Sequence, residues 1–482
     1  MIILLILLIS AVLRFYNLPN NFVFGGDEEH QAILAQTIVK HFHIIWIGVN
    51  AGNLGFYLGP YWTYFTAFWL WLSKGDPLIT GYVSSAIGVL TNLLIILTGT
   101  RLFSKTVGLI AGILYATLPL MVFFDQKYWN PTLIPLLSLL MILSLSQIKK
   151  NHNWFILFTL SFAAIFHIHL SLFPIIFVAV FYLVKEKIKL SRKVIFLSVI
   201  TFLIIMAPLI AFDYFHKGSN ITTPLRLSEI TSEPGNKINP LSHFTALFQT
   251  LGRIWYIKPF TSNSDQVLAG CTPERFNPPS FLSFFGLIII LLFLINKSTW
   301  KNKNTRLLAL FLLSIIIFFL VFPGGSYEYY LLGIFPLILF LPGILIGYFP
   351  KFKYLFSAGV FLFVALGIFT VFTNISDFGF AVKKSLIKET ILIINNQPFE
   401  LKQTGICHYY EGWRYLFVLN GRKPERADSD KTLGWLYQEE ITKTPVKYTV
   451  FISENKAPVN FNTKGAKTIS SGSFTSFIFD IK

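Results

Sequence analysis

Between Met1 and Thr373 the chain alternates long apolar segments with short polar connections. A membrane-spanning helix needs about 20 apolar residues, and this pattern predicts about eleven such segments. The predicted spans are Met1–Leu13 with a continuation toward Leu18, Leu78–Thr100, Thr106–Phe124, Thr132–Gln147, Trp154–His167, Leu170–Val184, Val194–Phe212, Phe281–Ile295, Leu307–Phe322, Leu331–Phe349 and Tyr354–Thr373. The chain is therefore predicted to be a polytopic α-helical membrane protein.

Tyr61–Leu72 is apolar but short, and its Trp and Tyr residues are typical of a membrane–water interface. We expect it to lie in the interface or to re-enter the membrane without crossing it. Most basic connections then share one side of the membrane, and only Lys74 and Lys127 lie in short loops on the other. The positive-inside rule predicts an integral plasma membrane protein with its N-terminus inside and its C-terminus outside.

From Asn374 onward the sequence is polar enough for a water-exposed domain. Ala381–Ile394 has the period of an amphipathic helix, whereas Lys447–Ser453 and Ser473–Ile481 alternate like strands. The sequence thus predicts a transmembrane domain over residues 1–373 and a small extracytoplasmic α/β domain over residues 374–482. Two long connections of the first domain face outward, over residues 17–77 and 213–280.

Composition agrees with a membrane protein. The 482 residues are 54% hydrophobic and only 13% charged, which is about half of the charged share of a soluble domain. The net charge of +17 comes mostly from residues between apolar segments and in the C-terminal part, so topology explains it better than nucleic-acid binding. The first segment lacks a basic start and a small-residue cleavage site, which predicts an uncleaved anchor.

Three consecutive carboxylates, Asp27, Glu28 and Glu29, follow the glycine pair Gly25-Gly26 just beyond the first apolar segment. Charged groups near a membrane are costly, so such a cluster indicates function. A structural alternative is that Asp27 caps a helix whose first turn holds the two glutamates. The two interpretations are compatible, because a cap also holds a carboxylate rigidly.

Other polar residues are predicted to collect on the same outer side. They are Asp125 and Lys127 in one short loop, His167 and His169 in another, Arg253 and Lys258 in the long loop, and Tyr327 and Glu328 in P-G-G-S-Y-E-Y-Y. If the substrate is a lipid-linked sugar, a carboxylate can deprotonate the acceptor hydroxyl, and cations can stabilise the phosphate that leaves. Asp27 is the predicted base, with Glu28 as second choice.

The other residues have several interpretations. Lys127, Arg253 and Lys258 are predicted phosphate partners, although Lys127 can equally anchor the interface and the other two can be solvated. Asp125, His167 and His169 can orient substrate. A divalent metal held by Asp27, Asp125 and His169 is left open. Since a His-x-His pair at a helix turn points its rings apart, joint ligation by both histidines needs a bent backbone.

Several motifs resemble the GT-C superfamily of polytopic glycosyltransferases, in particular its family 39-like group of protein O-mannosyltransferases and the aminoarabinose transferase of lipid A. They are R-F-Y-N-L at residues 14–18, G-G-D-E-E-H at 25–30, G-F-Y-L-G-P-Y-W-T-Y-F-T-A-F-W-L at 55–70 and T-G-T-R-L-F-S-K-T-V-G-L-I-A-G-I-L-Y-A-T-L-P at 98–119. The resemblance covers residues 1–215 well and the rest in layout.

This resemblance implies an inverting transfer from a polyprenyl-phosphate sugar to a lipid, glycan or protein acceptor, with Asp27 as the base. Two departures stand out. Leu58-Gly59-Pro60 lacks the lysine of a Lys-Pro pair that contacts phosphate in many relatives, and Asp125 matches the second acidic position of the superfamily only loosely.

Two other functions stay open from the sequence. A transporter or lipid flippase would place ionisable residues in the middle of spans, whereas here they lie at the outer ends. A polymerase or ligase of surface polysaccharide shares the same general plan.

The chain has only two cysteines, Cys271 and Cys407. The predicted topology places both outside, where a disulfide can persist. Such a bond would clamp the long outer loop to the C-terminal domain. The alternative is that each is a small buried apolar residue.

Overall fold

The computed structural model describes residues 1–50, 56–225, 240–259, 276–404, 412–454, 459 and 462–481. Cys271 and Cys407 lie outside the described residues, so the predicted disulfide stays untested. The described α-helices are Ile2–Phe15, Leu18–Asn21, Gly26–His41, Tyr61–Leu72, Leu78–Leu102, Lys105–Thr117, Pro119–Gln126, Ile134–Gln147, Trp154–Ala164, Ile175–Lys185, Arg192–Phe215, Ser219–Leu225, Pro240–Arg253, Ser280–Ile295, Lys297–Lys301, Lys303–Val321, Phe335–Ile338, Phe340–Tyr348, Lys353–Thr373, Phe380–Ile394, Trp413–Leu419 and Asp430–Leu433. The 3₁₀-helices are Asn130–Leu133, Ile165–His167, Leu170–Leu172, Glu328–Ile334, Pro350–Phe352, Gly434–Leu436 and Gln438–Glu440.

Every predicted span coincides with an apolar helix or with a pair of consecutive helices. In the described part of the chain, five helices are long and apolar enough to cross a membrane, and seven if each of two bent pairs is one span. Four further apolar helices are shorter: Ile2–Phe15, Trp154–His167, Leu170–Lys185 and Ser280–Ile295. The number of eleven crossings and the sidedness stay predictions.

One predicted span, Thr106–Phe124, is not a single straight helix. Lys105–Thr117 and Pro119–Gln126 meet at an angle of 63°. Leu118, which separates them, has the extended backbone that a residue before proline prefers. The bend turns Asp125 toward the first helix. A second bend, of 41°, divides the predicted span Leu331–Phe349 between Ile338 and Phe340.

Tyr61–Leu72 has an aromatic exposed side. Phe68 and Trp71 are exposed there, whereas Trp62 and Leu70 are buried on the opposite side. With 12 residues this helix extends only about 18 Å, well below the hydrocarbon thickness of a bilayer. Whether this segment crosses the membrane stays a prediction.

The C-terminal part contains a five-stranded mixed sheet of β1 (Phe399–Thr404), β2 (Arg426–Ala427), β3 (Tyr448–Glu454), β4 (Lys467–Ser471) and β5 (Phe474–Asp480). The strand order is β2-β1-β3-β5-β4. The parallel pairs are β1 with β2 and with β3, and the antiparallel pairs are β5 with β3 and with β4. The predicted helix and both predicted strands are confirmed, each to within one residue at either end.

The C-terminal sheet shares one apolar core with the loop that follows the first helix. Phe22 and Phe24 from the loop belong to the same buried cluster as Trp413 and Phe474 from the C-terminal part. The buried Lys383 ammonium donates to the Phe24 carbonyl at 2.8 Å, and the Phe380 amide donates to the Phe22 carbonyl at 2.8 Å. This shared core holds the acidic loop firmly against the sheet.

Candidate active site

The acidic cluster opens the Gly26–His41 helix, and Gly25 is its N-cap. The Glu28 side chain reaches back to this cap, where its Oε2 accepts from the Gly25 amide at 3.1 Å. The interpretation of Asp27 as the cap is therefore wrong, because Asp27 is the second helical residue. All three carboxylates lie in the first turn, where the helix dipole favours negative charge.

Because successive helical residues point about 100° apart, the three carboxylates have different surroundings. Asp27 is exposed, and among the described residues none donates to its carboxylate or forms an ion pair with it. Glu29 is fully buried, and its Oε1 accepts from the Tyr415 amide of the C-terminal part at 2.8 Å. Burial raises the pKa of Glu28 from 4.5 to about 7, and the nearby Lys127 opposes this rise.

Lys127 lies beside this carboxylate cluster on an aromatic surface. Its Nζ is 4.1 Å from the centroid of the Trp129 ring, a cation–π distance. Trp129 in turn meets the edge of Tyr329 at 4.9 Å between centroids, and Tyr329 is within electrostatic reach of Asp27. Of the predicted site residues, Glu28 lies next to Asp27 in the chain and within electrostatic reach of Lys127.

The aromatic surface continues to His169 and Tyr327. His169 stacks on Tyr330 at 5.0 Å, and Tyr327 stacks on Tyr329 at 5.5 Å. Burial lowers the pKa of His169 to about 4, so the ring is neutral at physiological pH. The Ser171 amide donates to its Nδ1 at 3.2 Å, so Nε2 carries the ring hydrogen and can donate it.

Arg253 and Glu328 pair with each other. The Arg253 Nε is 2.9 Å from the Glu328 Oε1, and its NH1 donates to the Phe276 carbonyl at 3.2 Å. Both side chains are largely buried, so Arg253 is not a solvated cation. Its ion pair with Glu328 holds the segment that contains Tyr327 in place. Lys258 is exposed, and no described contact connects it to the site.

Asp125 has a different environment from Asp27. Its Oδ2 is 2.7 Å from Arg14 NH2, and its Oδ1 accepts from the Tyr115 hydroxyl at 3.1 Å. The buried Arg14 also donates to the Tyr115 and Ala116 carbonyls, at 2.9 and 3.1 Å. Both carboxylate oxygens are thus used within the protein, and they fix the bent helix pair to the first helix. A direct substrate contact by Asp125 stays a prediction.

His167 points away from His169, as the His-x-His spacing predicts. Its Nε2 lies 2.9 Å from the Ile205 carbonyl, and its ring stacks on Tyr61 at 4.3 Å. A Cβ at Gly59 would lie 1.9 Å from the His167 Nδ1, so only glycine fits there. His167 therefore packs the segment of Gly59 and Tyr61 against the helix that holds Ile205.

The open hypothesis of a metal site finds no support in the geometry. No three His, Cys, Asp or Glu side chains gather around a common point in the described part of the chain. Asp125 is bound to Arg14, while His169 is stacked among tyrosines. Asp27, Asp125 and His169 do not form a ligand set.

Sequence reasoning missed several residues of the site and its support. Trp129, Tyr329 and Tyr330 were not among the predicted site residues, and the contact of Glu29 with Tyr415 spans 386 positions. A signal existed for Arg14, which is a lone arginine at the end of an apolar segment and needs a partner.

Comparison with known proteins places this geometry in a family context. The sequence model of the family described as Dolichyl-phosphate-mannose-protein mannosyltransferase matches residues 59–212. No curated protein matches the chain in sequence. The crystal structure of ArnT from Cupriavidus metallidurans bound to undecaprenyl phosphate is similar with a TM-score of 0.58 and 11% identity, over 98% of this chain and 97% of that one. The apo oligosaccharyltransferase from Archaeoglobus fulgidus has a TM-score of 0.52 and 12% identity, over 93% of this chain and 69% of that one.

At such identities the two solved structures establish a shared fold, and the family match adds sequence similarity over the region that holds Lys127 and Trp129. The resemblance predicted from the motifs is confirmed: the chain has the fold of the GT-C glycosyltransferases and resembles their mannosyltransferase family in sequence over residues 59–212.

Proposed function

We propose that this protein is a membrane glycosyltransferase that moves a sugar from a polyprenyl-phosphate donor to an acceptor hydroxyl, with inversion at the anomeric carbon. The main supporting observation is the exposed Asp27 carboxylate in the first turn of the Gly26–His41 helix. Its neighbour Glu28 is within electrostatic reach of Lys127, and Asp27 itself is within electrostatic reach of Tyr329. This arrangement combines a base, a cation and stacking groups within one small region.

The reaction needs two charge movements. Asp27 takes the proton of the acceptor hydroxyl while its oxygen bonds to the anomeric carbon. The bond from that carbon to the phosphate oxygen breaks with its electron pair, and Lys127 stabilises the negative charge on the departing lipid phosphate. The Nε2 hydrogen of the neutral His169 orients the substrate by hydrogen bonding.

Asp27 fits the role of base better than Glu28, the second choice from the sequence. Glu28 is 6% exposed, and its Oε2 already accepts from the Gly25 amide. Burial raises the pKa of Glu28 to about 7, so its poor access to a hydroxyl, and not its basicity, disfavours it as the base. Glu28 therefore contributes to the electrostatic environment of Asp27. Of the two carboxylates, only Asp27 is accessible to the acceptor hydroxyl.

The donor class and the side of the membrane also belong to the proposal. The structurally similar ArnT is bound to undecaprenyl phosphate, which supports a polyprenyl-phosphate donor here. The distribution of basic loops supports a site and a C-terminal domain on the outer face of the plasma membrane. A reporter that works only outside the cytoplasm should be active when it is fused after Lys482. Activity of a cytoplasm-only reporter there would reverse the sidedness.

A strain that lacks this gene tests the function without knowledge of the sugar. Mass spectrometry of its lipid extract should show an accumulating polyprenyl-phosphate sugar, and glycan profiling should show the loss of that sugar from an acceptor. Wild-type protein and Asp76→Asn should reverse both changes, because Asp76 lies near the Lys384 side chain and outside the site. Asp27→Asn should reverse neither.

The contrary results are equally clear. A lipid and glycan profile identical to wild type in the deletion strain would contradict the glycosyltransferase proposal. Full restoration by Asp27→Asn, with Glu28→Gln inactive, would move the base by one residue.

A further inference from the structure

A cavity of about 490 Å³ lies between the Gly26–His41 helix and the C-terminal part, away from the acidic end of that helix. This size suits a small organic ligand. One wall is a single face of the helix, formed by side chains between Ile33 and His41. The other wall comes from the C-terminal part, with side chains between Arg414 and Val418 and from Trp435 to Glu440. The cavity is thus built by two parts of the chain that the shared apolar core holds together.

Its walls carry both signs of charge. Lys40 and His41 are exposed on the helix side, and Glu439 and Glu440 lie on the opposite side. Arg414 is held rigidly at the base, since its NH2 is 3.3 Å from the Glu440 Oε2 and its guanidinium lies 4.0 Å from the Tyr437 ring centroid. A mixed rim of this kind does not favour an acyl chain or a strongly charged polymer.

Trp435 is the unusual residue of this cavity. Its side chain is 68% exposed although burial of an indole is favourable, and it has no ring partner among the described residues. The neighbouring Tyr437 ring, by contrast, is covered by Arg414. An exposed indole beside polar donors and acceptors fits a ligand with one apolar face and many hydroxyl groups, as a pyranose ring has.

We propose that this cavity binds the saccharide portion of the acceptor, a proposal that rests on the glycosyltransferase function. The helix rise places Ile33 about 9 Å and Lys40 about 20 Å from Asp27 along the helix axis. The cavity is therefore too far from Asp27 to hold the reacting hydroxyl. It holds a remote sugar of the same acceptor, stacked on Trp435, and so adds affinity and selects acceptors that carry a glycan.

Direct binding to the full-length protein in nanodiscs tests this site. The probes are three neutral or amino-sugar oligosaccharides, namely maltotriose, cellotriose and chitotriose, titrated by calorimetry. At least one should bind saturably to wild type. Trp435→Ala should weaken that binding at least tenfold, and so should Thr37→Trp, which fills the cavity from the opposite wall. Trp71→Ala is the matched control, since Trp71 is 64% exposed on a different helix.

Asp27→Asn separates this inference from the proposed function. It should bind the saccharide like wild type, because Asp27 does not line the cavity. Saccharide binding that survives Trp435→Ala and Thr37→Trp would overturn the inference, and so would the absence of binding for all three probes. Trp435-dependent binding of a sugar-free acceptor peptide, without saccharide binding, would overturn it in favour of a peptide site. None of these results changes the expected loss of transfer in Asp27→Asn.

Discussion

Asp27 and Asp125 are both acids that follow an apolar segment, yet the fold gives them opposite environments. Asp125 is buried, and Arg14 and Tyr115 bind both of its oxygens. Asp27 is exposed in the first turn of a helix and lies within electrostatic reach of Tyr329 in the tyrosine cluster. A carboxylate whose oxygens are already paired holds helices together, whereas an exposed carboxylate on a rigid support can accept a proton.

The largest expected effect is on catalysis at Asp27. In purified protein supplied with its polyprenyl-phosphate donor, Asp27→Asn should lower the transfer rate by about 10²–10⁴, because the amide cannot accept the proton. The melting temperature should stay at the wild-type value, since Asp27 has no described partner to lose. Near-normal transfer would contradict the catalytic role of Asp27. A large fall in melting temperature would show that Asp27, like Asp125, has a structural role.

Asp125 should show the converse result. Asp125→Ala leaves the fully buried Arg14 guanidinium without its anion, so the free energy of unfolding should fall by about 3–5 kcal/mol. Thermal unfolding in detergent measures this loss. The double variant Arg14→Met/Asp125→Leu should recover much of it, because it removes both buried charges. A fully stable but inactive Asp125→Ala would instead support the predicted substrate contact.

Glu28 should produce an effect of intermediate size that depends on pH. Because its folded-state pKa of about 7 exceeds the ordinary value of 4.5, the folded protein holds this proton more tightly than the unfolded chain. Stability therefore falls as the pH rises from about 4.5 to about 7, by about 3 kcal/mol from this group.

Glu28→Gln keeps an oxygen for the Gly25 amide but cannot ionise. Melting temperatures at pH 5 and pH 8 should therefore differ less in Glu28→Gln than in wild type, with the gain in stability at pH 8. Glu439→Gln serves as an exposed control and should leave the difference unchanged. A larger difference in Glu28→Gln would show that the Glu28 carboxylate is stabilised rather than destabilised by its surroundings.

The smallest expected effect is at Lys127, which contributes charge to the rim of the site. Lys127→Ala should raise the KM for the donor about 5–30-fold, an effect of about 1–2 kcal/mol. Lys127→Arg should lose less, because a guanidinium keeps the charge and can stack on Trp129. Wild-type kinetics in both variants would assign Lys127 to interface anchoring.

Local patterns in the sequence were sufficient for much of the architecture. Runs of apolar residues predicted every apolar helix or helix pair before Asn374. A helix in a membrane needs a continuous apolar sequence, whatever its later contacts with other helices. The same holds for Phe380–Ile394 and for strands β3 and β5, whose periodicities are local properties. The glycine pair before Asp27, Glu28 and Glu29 indicated the start of a helix and a functional cluster, although it misplaced the cap by two residues.

Only the tertiary structure distinguished the roles of chemically similar residues. Arg14 and Asp125 are 111 positions apart, and a bend at Leu118 brings them together. Arg253 has a structural role because its Nε lies 2.9 Å from the Glu328 carboxylate. Lys127 lies at the candidate site because its ammonium group packs on the Trp129 ring. The sequence by itself determined which segments are apolar and which residues can carry charge, because these are properties of single residues and their neighbours. The fold decided which charges are paired and which remain exposed, because pairing depends on distances between residues far apart in the chain.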